Sequence, residues 1–149
     1  MAEAESIQAA KQLEAALKGI TVADGYFTDA GKNVIRGFLA HAVDSDDQQC
    51  PFYVIQPNTE STQSPHPDQA RVAGAFIIFV VDKVDKSDRL QAAVRDLRAA
   101  LKLMEQRWQS PLVGALDIQP AQYNPEPDSN YALAALPAAI SYIEQYQGD

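Results

Sequence analysis

The sequence has few of the residues that enzymes and metalloproteins use for chemistry. Its 149 residues include one cysteine, Cys50, and two histidines, His41 and His66. A lone cysteine excludes an internal disulfide, which favours folding in a reducing compartment. Neither histidine has a cysteine, a second histidine or a suitably spaced carboxylate nearby, so the usual metal-ligand patterns are missing. We therefore expect no metal site and no cofactor.

Motifs for catalysis and signals for membranes are also missing. The sequence contains no glycine-rich phosphate-binding motif, no GxSxG nucleophile motif and no set of kinase motifs. Cys50 precedes Pro51 without a neighbouring cation that would activate a thiolate. No run of about 18 apolar residues occurs, and the acidic start differs from a signal peptide. These absences predict a protein that is neither an enzyme nor bound to a membrane.

The charge balance is acidic, with 20 acidic against 12 basic side chains and a formal net charge of -8. Cations cluster between residues 83 and 107, but acids alternate with them and no aromatic residues are interspersed. This pattern indicates a solvated, locally neutralised helix more than a nucleic-acid interface. Asp44, Asp46 and Asp47 lack the glycine and the later glutamate of a calcium loop and indicate a solvated turn.

Two helices are indicated by apolar residues at helical spacing. The first covers residues 6–18 and is followed by Gly19, a common residue at helix ends. The second covers residues 87–108, and Pro111 follows it. Its apolar residues recur in alternating steps of four and three: Leu90, Val94, Leu97, Leu101, Met104 and Trp108.

Segments rich in β-branched and aromatic residues predict strands. They are residues 51–57, residues 71–82, residues 112–124, and a hairpin that joins residues 25–29 to 33–38. The final segment, residues 131–147, is ambiguous because alanine and leucine favour a helix whereas Pro137 disfavours one. We predict a strand there, with a bulge at Pro137. The order of elements predicts one α+β domain over residues 1–149, with a mostly antiparallel sheet and two main helices on one face.

The predicted strand at residues 71–82 is apolar on both of its alternating faces. With two helices to cover one face, the other face requires a second cover. A neighbouring subunit is one candidate, and closure within the monomer is an equal alternative.

Residues 58–70 predict an exposed, mobile loop, because the segment has almost no large apolar side chain to bury. Long connections of this kind are often functional, although a disordered connector is the alternative. The residues that we expect at a contact with another protein are Pro57, Asn58, Thr59, Glu60, His66 and Asp68.

Residues 19–37, GITVADGYFTDAGKNVIRG, combine glycine turns with an aromatic pair. Gly25 and Gly31 are predicted to permit turns at positive φ. Tyr26 or Phe27 is predicted to pack the first helix onto the sheet, in preference to contacting a partner.

The order of elements resembles the phage tail terminator, or tail completion, proteins. The resemblance rests on a helix ending in LKGI, the following GYFTDAG and NVIRG, then PFYVIQP, an apolar strand and a long amphipathic helix. It implies an α+β subunit that assembles, usually as a hexameric ring, on the last ring of the tail tube. There it would stop tail growth and provide the surface for head attachment.

This resemblance implies a structural virion protein at the head–tail junction, assembled in the host cytoplasm, without catalytic residues. Its partners would be copies of itself, the tail tube protein and a head-completion or neck protein. DNA would pass through the ring lumen without specific binding, and Asp44, Asp46 and Asp47 are candidates to line that lumen, since like charge disfavours phosphate contacts. The alternatives are another neck component (a connector or stopper), a small enzyme whose carboxylates and tyrosines meet in space, and a monomeric adaptor.

Overall fold

The computed structural model describes residues 3–43, 49–125 and 130–146. Its helices are α1 (Glu5–Lys18), α2 (Leu39–Ala42) and α3 (Ser87–Arg107). Its strands are β1 (Val34–Arg36), β2 (Phe52–His66), β3 (Gln69–Lys83), β4 (Leu112–Ile118), β5 (Gln122–Pro125) and β6 (Tyr131–Gln145). Two 3-10 turns, Val22–Asp24 and Ala30–Lys32, connect α1 to β1.

The strands form one six-stranded sheet in the order β1-β2-β3-β6-β4, with β5 also paired to β6. The pair β1–β2 is parallel, and the pairs that involve β3 or β6 are antiparallel. The predicted α+β class with a mostly antiparallel sheet is therefore confirmed.

The two main helices cover one face of this sheet, as predicted. Alternate residues of β3 point to that face, and Val72, Ile78 and Val80 are buried there. They pack in one cluster with Leu13 of α1 and Leu97 of α3. We call this side the helix face.

The predicted hairpin between residues 25–29 and 33–38 is wrong. The first segment forms turns, because the carboxylate of Asp96 on α3 takes the backbone N–H groups that a strand would use: those of Phe27 at 3.1 Å and Thr28 at 2.9 Å. The second segment contributes only the short β1, which pairs with β2 in parallel. The segment therefore fastens α3 to the edge of the sheet.

The two glycines of that segment have different roles. Gly25 has a φ of 96°, the positive value that was predicted. Gly31 does not have a positive φ; instead, a Cβ there would lie 2.4 Å from the carbonyl oxygen of Leu17, so the site needs glycine for space. Tyr26 packs against the core as expected, whereas Phe27 is 67% exposed, with the guanidinium of Arg95 4.9 Å from its ring centre.

The predicted loop at residues 58–70 is also wrong, because β2 and β3 continue through it as a long hairpin. Their register includes Thr59 opposite Ala75 and His66 opposite Gln69, with a shift between Pro57 and Thr59. A polar strand needs no apolar face of its own when its neighbour satisfies the backbone groups on one side.

The strand prediction for the final segment is confirmed, but the bulge at Pro137 is wrong. The β3–β6 register runs without a shift, and Pro137 lies opposite Ile77. The carbonyl of Pro137 accepts the N–H of Gln119 on the other side of β6. In an antiparallel pair the N–H and C=O of one residue point to the same neighbour. The missing N–H of Pro137 therefore faces the gap between β4 and β5 and costs the β3–β6 ladder nothing.

Candidate assembly surface

The second face of the sheet carries small apolar side chains that no cluster of the described core includes. They are half-buried and lie side by side, because Ala75 pairs with Ala139 and Ile77 with Pro137. We call this the open face and define it as Ala73, Ala75 and Ile77 of β3 and Ala135, Pro137 and Ala139 of β6.

A second, smaller cluster covers the other end of the same face. There Ala42 of α2 packs with Phe52, Val81 and Leu133. This cluster stops at Phe79, which is partly buried against it. The open face thus begins where the cover given by α2 ends, and it extends toward the tip of the β2–β3 hairpin.

Both outer edges of the sheet are open over part of their length within the described chain. β1 pairs with β2 only from Tyr53 to Ile55, so β2 beyond Ile55 has no strand on its outer side. At the opposite edge, β4 pairs with β6 and with no other described strand. Unpaired strand edges present backbone donors and acceptors that another chain can use.

The residues around the two open edges differ in charge. A groove of about 300 Å³ lies beside β2, between it and the first turns of α1, and contains Ile7, Phe76 and Glu60. Arg36 also borders this groove, but its guanidinium pairs with the carboxylate of Glu14 on α1 at 3.2 Å. One carboxylate oxygen of Glu60 accepts the hydroxyl of Tyr142 at 3.1 Å, and burial together with this carboxylate raises the pKa of Tyr142.

The groove beside β4 carries positive charge. It measures about 530 Å³ and is bordered by Arg98 and Lys102 of α3 and by the segment from Leu116 to Ala121. That segment contributes one acid, Asp117, whose carboxylate accepts the side-chain amide of Gln119 at 3.0 Å, so cations outnumber acids by one in this groove. Within the described residues, neither Arg98 nor Lys102 forms an ion pair. Neighbouring acids of α3 have other partners, since Asp96 binds Thr28 and Glu105 accepts the N–H of Leu116.

The candidate contact residues lie on the hairpin, but they do not form one site. Pro57, Asn58, Thr59 and Glu60 lie on the exposed part of β2, His66 ends that strand, and Asp68 lies in the turn. At about 3.3 Å per residue, Pro57 and His66 are roughly 30 Å apart along the strand. The candidate lumen residues Asp44, Asp46 and Asp47 lie outside the described residues.

The sequence does not single out Arg98 and Lys102 as candidates, because the acids near them in the sequence predict local neutralisation. Part of this information is in the sequence. Asp96 falls among the buried, apolar positions of α3, so its carboxylate faces the core. An acid in that position cannot also neutralise the exposed side of the helix.

The buried polar side chains of the described chain have structural partners. Asp82 at the end of β3 binds the guanidinium of Arg89 on α3 through both oxygens. Asp96 accepts three hydrogen bonds from the backbone and hydroxyl of the 27–28 segment. No buried side-chain nitrogen or oxygen of the described residues lacks a partner, so these carboxylates hold elements together.

Residues 3–43, 49–125 and 130–146 hold no group of three or more His, Cys, Asp or Glu side chains placed to bind a metal ion. Four surface grooves contain at most one carboxylate each. Burial raises the pKa of the Cys50 thiol, as does the charge of Asp82. None of the described helices has the length and apolar character to span a membrane.

Comparison with known proteins identifies a similar fold in a chain of a virion. No protein-family model matches this sequence. The curated proteins also contain no match. Among solved structures, the chain is similar to a chain in the virion of the native gene transfer agent (GTA) particle, with a TM-score of 0.59 and 17% identity. The match covers 90% of this chain and 96% of the other. At this identity, the comparison establishes a shared fold.

Proposed function

We propose that this chain is a structural virion protein of a phage or phage-like particle, and that it acts as a tail terminator. In this role it forms a ring on the end of the tail tube, stops elongation and provides the surface to which the head attaches. In this role residues 1–149 act as one domain. The ring places the chain at the head–tail junction, and catalysis has no part in its role.

The main support is the open face together with the two open sheet edges. A half-buried apolar surface such as that of Ala75, Ile77 and Ala139 gains stability when another protein of the particle covers it. Two different edges on one chain suit a head-to-tail interface, which closes into a ring when the rotation per subunit permits. The likeness to a chain of the GTA virion, which spans nearly the whole of both chains, adds support for a role in a particle.

A second candidate is another neck component, either a connector or a stopper. The GTA likeness supports it equally, because the comparison names a virion and not a position within it. The two roles differ in the surface that the protein recognises. A terminator binds the end of a tail tube without a head present, whereas a connector or stopper binds the head.

The experiment is to mix the purified chain with isolated tail tubes and, separately, with tailless heads from the same particle. Cosedimentation and negative-stain imaging then report which particle is bound. We expect binding at tube ends alone. Binding to heads alone would support the connector or stopper, and binding to neither would overturn both roles.

A matched pair of variants tests the open face in the same assay. Ile77→Asp places a charge on this face, whereas Gln91→Asp places one on an exposed position of α3. We expect Ile77→Asp to lose tube-end binding, because burying an unpaired charge in an interface is costly. Gln91→Asp should retain binding. Equal binding by both variants would contradict a role for the open face.

A further inference from the structure

We propose that the open edge of β2 in one copy joins the open edge of β4 in the next, and that Glu60 of the first copy pairs there with Arg98 and Lys102 of the second. The inference rests on the proposed function for its biological setting. It adds the two sheet edges through which copies of the chain pair and the charged residues that select this pairing.

Topology places the two groups of charges at opposite ends of the sheet. Glu60 lies on β2, which has only the short β1 outside it, whereas Arg98 and Lys102 lie beside β4 at the other end of the strand order. Within one subunit, β3 and β6 separate these groups. A head-to-tail arrangement of copies brings the two ends together.

The charges also lie on the same side of the sheet. Glu60 contacts the hydroxyl of Tyr142, whose ring belongs to the helix-face cluster. Arg98 and Lys102 are on α3, which packs on that face. If the sheet continues from one copy to the next, the carboxylate and the two cations face each other above the shared edge. Complementary charges of this kind fix the register and disfavour wrong partners.

The edge of β2 also limits where the second copy can pair. The carbonyl of Ile55 points outward, since it accepts the N–H of Gly37. Because alternate residues point to the same side, Pro57 also faces outward and has no N–H to offer. Pairing must therefore begin beyond Pro57, in the part of β2 that carries Glu60.

Charge reversal tests this arrangement. Glu60→Lys and the double variant Arg98→Glu/Lys102→Glu should each weaken self-association at least about tenfold, because each places like charges opposite one another. The triple variant that carries all three reversals should regain the association of the native chain. Light scattering after size-exclusion chromatography measures the assembled mass, and circular dichroism confirms that each variant is folded.

Two controls separate the interface from internal effects. Glu60→Gln keeps an acceptor for the Tyr142 hydroxyl, so a weaker association of this variant would show that the negative charge of Glu60 contributes to the interface. Lys86→Glu changes an exposed cation just before the start of α3, away from Arg98 and Lys102, and should leave association unchanged. Hydrogen exchange provides a second readout: amides on the outer edge of β2 beyond Pro57 should be protected in the assembly and exchange rapidly in the diluted chain.

Several results would overturn the inference. The first is a native chain that stays monomeric at its highest soluble concentration. The second is a triple variant that associates no more tightly than the variants from which it is combined. The third is an assembly in which the amides on the outer edge of β2 still exchange rapidly. The tube-end assay decides the proposed function independently. If the native chain binds tube ends but the charge-reversal variants do not behave as expected, the terminator role is retained and this interface is ruled out.

Discussion

Gly31 lies where the end of α1 meets the turn that leads into β1. Its N–H donates to the carbonyl of Ile20 at 2.9 Å, and a Cβ at this position would lie within 2.8 Å of three backbone atoms of Leu17 and Ile20. Backbone atoms cannot move aside as the end of a flexible side chain can. The position therefore determines how closely the turn approaches α1.

We expect Gly31→Ala to lower the free energy of unfolding by about 3 kcal/mol, because it overpacks this contact. The matched control is Gly19→Ala, where the added Cβ meets only an ordinary contact at 3.5 Å. That variant should stay within about 1 kcal/mol of the native chain. Urea unfolding followed by circular dichroism makes the comparison, and similar stability of both variants would contradict the packing argument.

Tyr53 is expected to make the protein less stable at alkaline pH. Its side chain is fully buried, its hydroxyl donates to the carbonyl of Ala93 at 2.8 Å, and burial, aided by the charge of Asp96, raises its pKa. A raised pKa means that the folded state keeps this proton when the unfolded state has lost it. The stabilisation is complete below the unfolded pKa of about 10 and falls as the pH rises above it.

We expect the free energy of unfolding to fall above pH 10, with Tyr53 contributing about 1.4 kcal/mol per pH unit. Tyr53→Phe should lower stability at neutral pH by about 1 kcal/mol through the lost hydrogen bond but reduce the alkaline slope. Urea titrations at a series of pH values between 8 and about 11 measure both effects. An unchanged slope in Tyr53→Phe would rule out this residue as the source.

Among the elements, those whose stability is local were predictable and those held by distant partners were not. α1 and α3 follow from apolar spacing within each segment, and β3 follows from its long apolar run. The polar part of β2 exists because β3 satisfies its backbone groups, and no pattern within residues 58–66 encodes that. Residues 25–29 form turns because Asp96, far along the chain, binds them.

Pro137 shows that the direction of a backbone group decides whether a strand accepts proline. Its nitrogen faces the gap between β4 and β5, whereas the N–H of Ala138 points to β3, where its partner is Phe76. We expect Ala138→Pro to cost about 1–3 kcal/mol, because it leaves the buried carbonyl of Phe76 without its donor.

Pro137→Ala is the matched control and should change stability by less than about 1 kcal/mol. Thermal unfolding and the hydrogen exchange of β3 amides measure both variants. If Ala138→Pro proved as stable as Pro137→Ala, the assigned direction of the β6 backbone groups would be wrong.

For the whole molecule, the class of fold followed from the sequence, but the candidate surface followed only in part. The two apolar faces of β3 correctly indicated surface left open by the helices. Glu60 was among the expected contact residues. Arg98 and Lys102 could not be singled out from the sequence, because their exposed charge depends on Asp96 and Glu105 being bound elsewhere. Such a surface depends on contacts between elements, which local sequence patterns do not record.

Cryo-electron microscopy of tail tube ends after addition of the purified chain tests the terminator role most directly. We predict a ring of this chain at one end of each tube, with the open face covered by protein and tube growth stopped. Bare ends, continued elongation at saturating concentration, or a bound chain whose open face remains in solvent would contradict it.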